Sequence, residues 1–430
     1  MDLINTPSVL IALAAIVIVS YLFNLLAKKT RIPSVLMLLA MGMLLRGAAS
    51  AADFEEPNVV PLLEVLGSVG LIMIVLEAAL DLKLTRQNRG MVGRTLLVTI
   101  IELSATTAFL AAVFHIGMDA PWVNAVVYAV PLSILSSAII IPSVENCAHK
   151  IKEFMIYQST FSDIIGIMFF YFLVEGFSSP GGGTVEWLIQ FGWTFGVSII
   201  VSAVFAYLLV LLLKNIKTQL KLFLLISVLI LLYAVGKLFH ISSLLIILIF
   251  GLILNNPKLF FFGPLQRWLK EDVVASLLED FRIITRETAF IVRTFFFVVF
   301  GFSLDLMSLA NPLVIFYALI ALIGIYRIRG SILGWSERKP EPLYRYMAPR
   351  GLITILLFYS IPKAFHIPAF DNGILLYIIL ASSIYMAWGM VRNRSKDDTS
   401  SMGDVLRSSL GVEAEVGMDD AEDEDPYSGA

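Results

Sequence analysis

At 430 residues, 58% hydrophobic and only 15% charged, the chain is too apolar for a soluble protein and reads as a polytopic membrane protein without a long polar domain. A net charge of -3 and an acidic final stretch, AEVGMDDAEDEDPYSGA, argue against nucleic acid as a partner. One cysteine, Cys147, excludes an intrachain disulfide and a cysteine metal cluster.

The opening residues, MDLINTPSVL, lack the basic region and small-residue cleavage site of a signal peptide, so the first apolar run is expected to be retained. Apolar windows of roughly twenty residues follow at about 8–26, 32–48, 62–80, 95–116, 122–142, 153–177, 186–213, 219–237, 241–255, 287–306, 312–334, 349–365 and 373–392. The ninth and twelfth are short and the eighth and ninth nearly merge, which leaves twelve spans open beside thirteen. Basic residues arbitrate, because cytoplasmic loops are enriched in them. With thirteen spans, 23 Lys and Arg fall beside one face and only Arg46, Lys237 and Lys363 beside the other. That split predicts an external N-terminus and a cytoplasmic C-terminus, in the cell membrane. WLKEDVVASLLEDF, within the inner loop 256–286, has apolar residues at helical spacing and predicts an interfacial helix. SSPGGG at 178–183 predicts an outer turn, leaving six spans on either side of a linking seventh. Such halves suggest an inverted repeat. Residues 396–430 are expected to form a disordered acidic tail after a membrane domain over 1–395.

Polar residues inside the apolar windows carry the chemistry. Glu77, in GLIMIVLEAALDL of the third span, lies a turn from Asp81, so a solvated boundary residue and a functional one are both open. Glu102, in IIELSATTAF of the fourth, either lines the path or pairs with Arg293, the pair being the favoured reading. The fifth span, AVPLSILSSAIIIPS, sets Pro131 and Pro142 around Ser136 and Ser137; the twelfth, MAPRGLITILLFYSIP, contains Pro349, Gly351 and Pro362. Proline alone is tolerated in a membrane helix, but interruptions at corresponding positions of two halves point to a midplane site in a transporter.

The sixth span carries QSTFSDIIG, with Asp163 ten residues in from Glu153 and hence roughly 15 Å deep at helical rise. Ser159 and Thr160, four and three residues earlier, share its helix face, and Ser162 adjoins it. A carboxylate among hydroxyls suits a dehydrated small cation or a proton, since hard cations take oxygen ligands. An acid held by hydrogen bonds in a helix bundle is the competing reading. Arg293, Arg327, Arg329 and Arg350 lie within or beside spans and read as fixed counter-charges, because guanidinium does not deprotonate. No nucleotide-binding or metal-ligand spacing appears, and no nucleophile and base can be paired; neither an enzyme nor a cofactor is expected.

In this order and spacing the chain resembles the monovalent cation/proton antiporter superfamily, sodium/proton exchangers especially, over roughly residues 8–395. Those proteins carry a motif like E-S-x-x-N-D on the sixth of thirteen helices, where this sequence has Gln158-Ser159-Thr160-Phe161-Ser162-Asp163. Glu77 stands at the acidic position of a segment similar to F-E-G-G-L, LSSAIIIPSV is similar to the family's unwound helix, and PRGL at 349–352 to its L-R-G segment. RTFFFVVFGFSLDL at 293–306 is similar to the tenth helix, and Arg327 or Arg329 fits the basic residue of the eleventh. The resemblance implies an all-α polytopic membrane fold of about thirteen transmembrane helices, with inverted six-helix repeats and two broken helices. It implies a dimer, and a core of spans five, six, eleven, twelve and thirteen moving past a scaffold. It makes Asp163 the carboxylate that binds Na+ (Li+ and K+ being further candidates) or H+, with Ser159 a Na+ ligand and Thr160, Ser162, Ser136 and Ser137 around them.

The departures are Ser162 for an Asn or Asp, Ala138 and Ile139 for a polar pair, and Gln158 for a Glu that in relatives pairs with the basic residue of helix eleven. With one carboxylate at the site, electroneutral one-for-one exchange is expected. A cation channel or uniporter, and an ion-regulated membrane scaffold that does not transport, are the alternatives. Because Gln158 carries no charge, Arg327 or Arg329 is expected to find Asp163, Glu77, Glu102 or backbone carbonyls of the broken spans.

Overall fold

Apolar segments of this length satisfy their backbone groups by coiling, and no strand occurs among the described residues. The computed structural model describes residues 6–30, 33–51, 60–82, 89–145, 147–178, 199–208, 221–238, 243–256, 271–303, 310–336 and 341–393, with isolated positions between 189 and 197. The acidic tail, the outer turn at 178–183 beyond its first residue and part of the seventh window lie outside these. The helices are α1 (Thr6–Thr30), α2 (Ser34–Ala51), α3 (Val60–Asp81), α4 (Arg89–Met118), α5 (Trp122–Ser133), α6 (Ser137–Ser143) and α7 (His149–Ser178). There follow α8 (Lys221–Leu238), α9 (Ser243–Asn255), α10 (Glu271–Ser303), α11 (Pro312–Ser336), α12 (Leu352–Tyr359) and α13 (Asn372–Arg392). Among the described residues, six helical segments are long and apolar enough to cross a bilayer, which makes this a multi-pass membrane protein.

Local sequence sets several boundaries. Pro121 precedes α5 and Pro312 opens α11, at positions where a missing N–H costs nothing. Asp371 caps α13 by accepting from Gly373 N at 2.7 Å. Where the sequence suggests an interfacial helix apart from the tenth span, Glu271–Ser303 is one continuous helix of 33 residues, about 50 Å long. Its amphipathic first turns and apolar later ones share a single helical register, so nothing breaks it. The twelfth window is α-helical only over α12, with a 3-10 turn at Lys363–Phe365.

The helices pack into two groups. In one, α10 lies along α2 and α3, with α9 on α3, α8 on α9 and α1 against α2 and α10. In the other, α4 packs on α5, α7 and α11, α13 on α11, and α6 on α7. Contacts between the groups are sparse, chiefly from α3 to α7 and α12. The first group is clamped at the end of α3, where the carbonyls of Ala79, Leu80 and Leu82 have no intrahelical partner. Asn255 Nδ2 donates to Leu82 O at 2.8 Å, Asn256 Nδ2 to the same carbonyl at 2.9 Å, and Arg282 Nε to Leu80 O at 3.0 Å. Three residues, two at the end of α9 and one on α10, thus supply the cap that α3 cannot supply itself.

At the α2–α10 crossing, Gly42 and Gly301 face each other. A Cβ on Gly301 would meet the Leu39 carbonyl, and one on Gly42 the Val298 carbonyl and Phe302 amide, all backbone that cannot step aside. Gly301→Val is therefore expected to cost about 1–3 kcal/mol or more and to lower the melting temperature in detergent. Gly90→Ala, at an exposed position with open space, should leave the melting temperature unchanged or raise it.

Candidate ion-binding site

The site is built where α5 stops and α6 has not yet begun. Ile134 and Ser136 are extended, with φ/ψ of -75°/132° and -88°/105°, so the amides around them leave the helical ladder. Each finds another partner: Leu135 N donates to Ser162 Oγ at 2.9 Å, Ser136 N to Pro349 O at 3.0 Å, and Ser137 N to Asp163 Oδ2 at 3.3 Å. Pro349 belongs to a second non-helical stretch, 347–351, ahead of α12. Two glycines permit these approaches. A Cβ at Gly166, four residues beyond Ser162 on α7, would run into Ile134, and one at Gly351 into Ser136.

Asp163 lies halfway along α7 and is 1% exposed. Its Oδ2 has the Ser137 amide, whereas Oδ1 has no hydrogen-bond partner among the described residues; Thr160 Oγ1 is likewise buried without one. Ser159 Oγ donates to Ile156 O at 3.3 Å, which leaves its lone pairs available. Buried polar atoms are nearly always paired, so an acid with one satisfied oxygen beside an unsatisfied hydroxyl is open to a proton or to a hard cation. Of the serines read from the sequence, Ser137 and Ser162 are tied into this cluster. Ser136 is spent on the second non-helical stretch through its backbone.

Arg329 resolves the choice between the two arginines of the eleventh span. It is fully buried and Nη1 donates to Glu102 Oε1 and Oε2 at 2.8 and 3.0 Å, Nη2 to Gln158 Oε1 at 3.1 Å, and Nε to Tyr344 O at 2.6 Å. Gln158 Nε2 closes the ring on Glu102 Oε2 at 2.8 Å. The expected pairing of Glu102 with Arg293 is thereby corrected: Glu102 on α4 faces α7 and α11, and its partner comes from α11. Nor does Gln158 remove a salt bridge. The acid sits on α4 instead, and the neutral amide spans both ions. Arg327, two residues away on a helix and so on another face, is exposed.

Arg350, also fully buried, donates from Nε to Leu132 O at 2.6 Å and from Nη1 to Ala348 O at 3.1 Å, placing a fixed positive charge at the open carbonyl end of α5. Arg293 instead meets Glu77 Oε2 through Nη2 at 3.3 Å. Both line a cavity of about 470 Å³ between the two helix groups, walled on the other side by Ser137, Ala138 and Ile141. The cavity reaches the residue whose amide holds Asp163. Sequence reasoning missed Tyr344 and Leu135, which act through backbone groups, and the Gly166–Ile134 contact. A glycine one turn beyond Ser162 was the available signal.

Residues 12–388 match the family model described as sodium/hydrogen exchanger, transmembrane. Among solved structures, that of the sodium proton antiporter MjNhaP1 from Methanocaldococcus jannaschii at pH 8 superposes with a TM-score of 0.66 at 18% identity, covering 88% of this chain and 96% of that one. An electron-microscopy structure of the same antiporter gives 0.63 at 16% identity, covering 96% and 100%. At these identities the likeness is one of fold. A search of curated proteins finds no match.

Removing one partner of a buried ion pair strands the other, at about 3–5 kcal/mol. Arg329→Met should accordingly abolish or sharply reduce monodisperse protein in detergent, while Arg327→Met should leave yield and melting temperature near those of the parent.

Proposed function

The chain belongs to the transmembrane sodium/hydrogen exchanger family, and on that premise we propose that it exchanges a monovalent cation for H+ by competition for the carboxylate of Asp163. Na+ is the first candidate, with Li+ and K+ as others. The observation that carries this reading is the half-satisfied state of the acid: Asp163 Oδ1 and Thr160 Oγ1 are buried and unpartnered, whereas Glu102, the other deeply buried acid near it, is saturated by Arg329 and Gln158. Burial penalises the ionised form, a cation among hydroxyls restores it, and a proton removes the need for either. One carboxylate then alternates between two cargoes. Since every other charge nearby is fixed, each exchange moves one positive charge in either direction and the cycle is electroneutral.

In this reading α4–α7 and α11–α13 form the ion-carrying body, and α1–α3 with α8–α10 the scaffold past which it moves. The interrupted α5–α6 and the stretch before α12 are the two broken helices of an inverted repeat. The scaffold also supplies the surface for a homodimer, whose presence a crosslinking or mass measurement would decide. The N-terminus lies outside and the C-terminus, with its acidic tail, in the cytoplasm. A C-terminal reporter active only on the outer side would reverse that orientation.

The test is exchange in proteoliposomes loaded with a pH-sensitive dye and challenged with Na+, Li+ and K+. Asp163→Asn keeps the side chain's shape but carries neither the proton nor the charge, so it should abolish exchange in protein that still folds. Wild-type exchange by this variant, or cation flux without counter-movement of protons, would overturn the mechanism. Thr160→Val and Ser159→Ala remove candidate ligands and keep the charge. Each should raise the cation KM by about five- to tenfold and leave the maximal rate nearly unchanged.

A further inference from the structure

Arg327 and Arg329 stand two residues apart on α11 in opposite surroundings. Arg329 is buried, and its guanidinium is bonded through Nε, Nη1 and Nη2. Arg327 is exposed, and its side chain makes no hydrogen bond or ion pair among the described residues. It continues a row of exposed apolar side chains, Leu313, Phe316, Leu319 and Ile323, on the outward face of a helix that crosses the bilayer.

Depth makes this charge costly. α11 is 25 residues long, about 37 Å, against a hydrocarbon core of about 30 Å, and Arg327 lies about 14 Å before the last residue, Ser336. A helical Cα–Cβ bond tilts toward the helix N-terminus, here away from the nearer surface, so snorkelling of the stem recovers only part of that depth. A charge so placed calls for a counter-charge, and α11 has no acid anywhere along it. Ser331 Oγ donates to Arg327 O at 3.0 Å, so its proton is spent and the guanidinium is the donor this face offers.

The surface between Arg327 and the end of α11 has room for a ligand. Gly330 and Gly334, on the turns that follow Arg327, have open space where a Cβ would stand, and the exposed Trp335 comes next. We propose that Arg327 binds the phosphodiester of an anionic phospholipid, which descends over Gly330 and Gly334 from the leaflet at the Ser336 end while its acyl chains lie along Ile323, Leu319 and Phe316. A guanidinium meets two phosphate oxygens at once in its fork geometry. A zwitterionic headgroup would add a cation for which this helix has no acid. The notch spans a single turn between Arg327 and Trp335, which suits a headgroup better than a second helix, whose close approach needs small residues along the crossing. Such a lipid site is independent of the ion that Asp163 carries.

The test is phosphatidylglycerol binding to the purified protein in detergent, read by native mass spectrometry as lipid per protomer and apparent affinity. Arg327→Gln should weaken binding about tenfold and lose one bound phosphatidylglycerol per protomer. Gly330→Leu, which fills the notch and keeps the charge, should weaken it about fivefold. Arg345→Gln, at an exposed arginine outside α11, should stay within about twofold of wild type. Phosphatidylcholine should bind more weakly than phosphatidylglycerol, and inorganic phosphate should not displace the lipid. Equal retention by wild type and Arg327→Gln overturns the proposal, as does an equal loss in Arg345→Gln, the mark of diffuse attraction to a basic surface. A fall in oligomer mass in Arg327→Gln with lipid retention unchanged also overturns it, and assigns the arginine to an acid on a second protein helix. Should Arg327→Gln not fold, Gly330→Leu decides in the same way.

Discussion

A carboxylate buried inside a bilayer needs a counter-ion, hydrogen bonds or a proton of its own. Taking an ionised group out of water costs several kcal/mol even after relaxation, and proteins usually answer with a salt bridge. Glu102 shows that answer: a guanidinium, an amide and near-complete burial leave no atom of it free to do anything else. At Asp163 the protein stops short of it. One oxygen takes a backbone amide and the other has no hydrogen-bond partner among the described residues. The two acids lie on neighbouring helices in the same body, so the difference between them is made by partners and not by depth.

Those partners depend on backbone that is not helical. A continuous helix through 122–143 would have consumed the amides of Leu135, Ser136 and Ser137 in its own ladder, and α7 would have met a wall of side chains. Breaking it at 134–136 aims those amides outward, towards Ser162, Pro349 and Asp163. The arrangement also exposes the carbonyl end of α5, and Arg350 is the charge that meets it through Leu132 O. Glycine at 166 and 351 lets the pieces approach to backbone distance. An irregular stretch of three residues thus accounts for the placement of groups on two other elements, α7 and the stretch 347–351.

What could be read from the chain beforehand follows the range of the interactions involved. Asp163 and its hydroxyl neighbours were legible because their relation is a helical spacing within nine residues. The prolines and glycines announced the interruptions for the same reason. Glu102 and Arg329 are 227 positions apart, and nothing local tells Glu102 to face α11 rather than Arg293. The substitution at Gln158 looked like the loss of an ion pair because the sequence shows which charge is missing from one position, not where another enters from a different helix. Amide and carbonyl partners such as Ser137 N and Tyr344 O carry no sequence signature at all. The interfacial helix was misjudged in extent, since amphipathic and apolar turns can share one helical axis.

The separation of the helices into two groups gives these local choices their direction. The buried charges around Asp163 (Glu102, Arg329 and Arg350) belong to the helix group that contains it, so under the proposed mechanism a shift of that group breaks no buried pair. Glu77 and Arg293 are both in the other group and pair within it. Between the two helix groups lie few contacts and a cavity lined by apolar and charged residues together. A buried ion pair spanning that boundary would have cost several kcal/mol at each passage. With the acid on α4, the fully buried charges Glu102, Arg329 and Arg350 all stay within one helix group, and none of their hydrogen bonds crosses the boundary to the other.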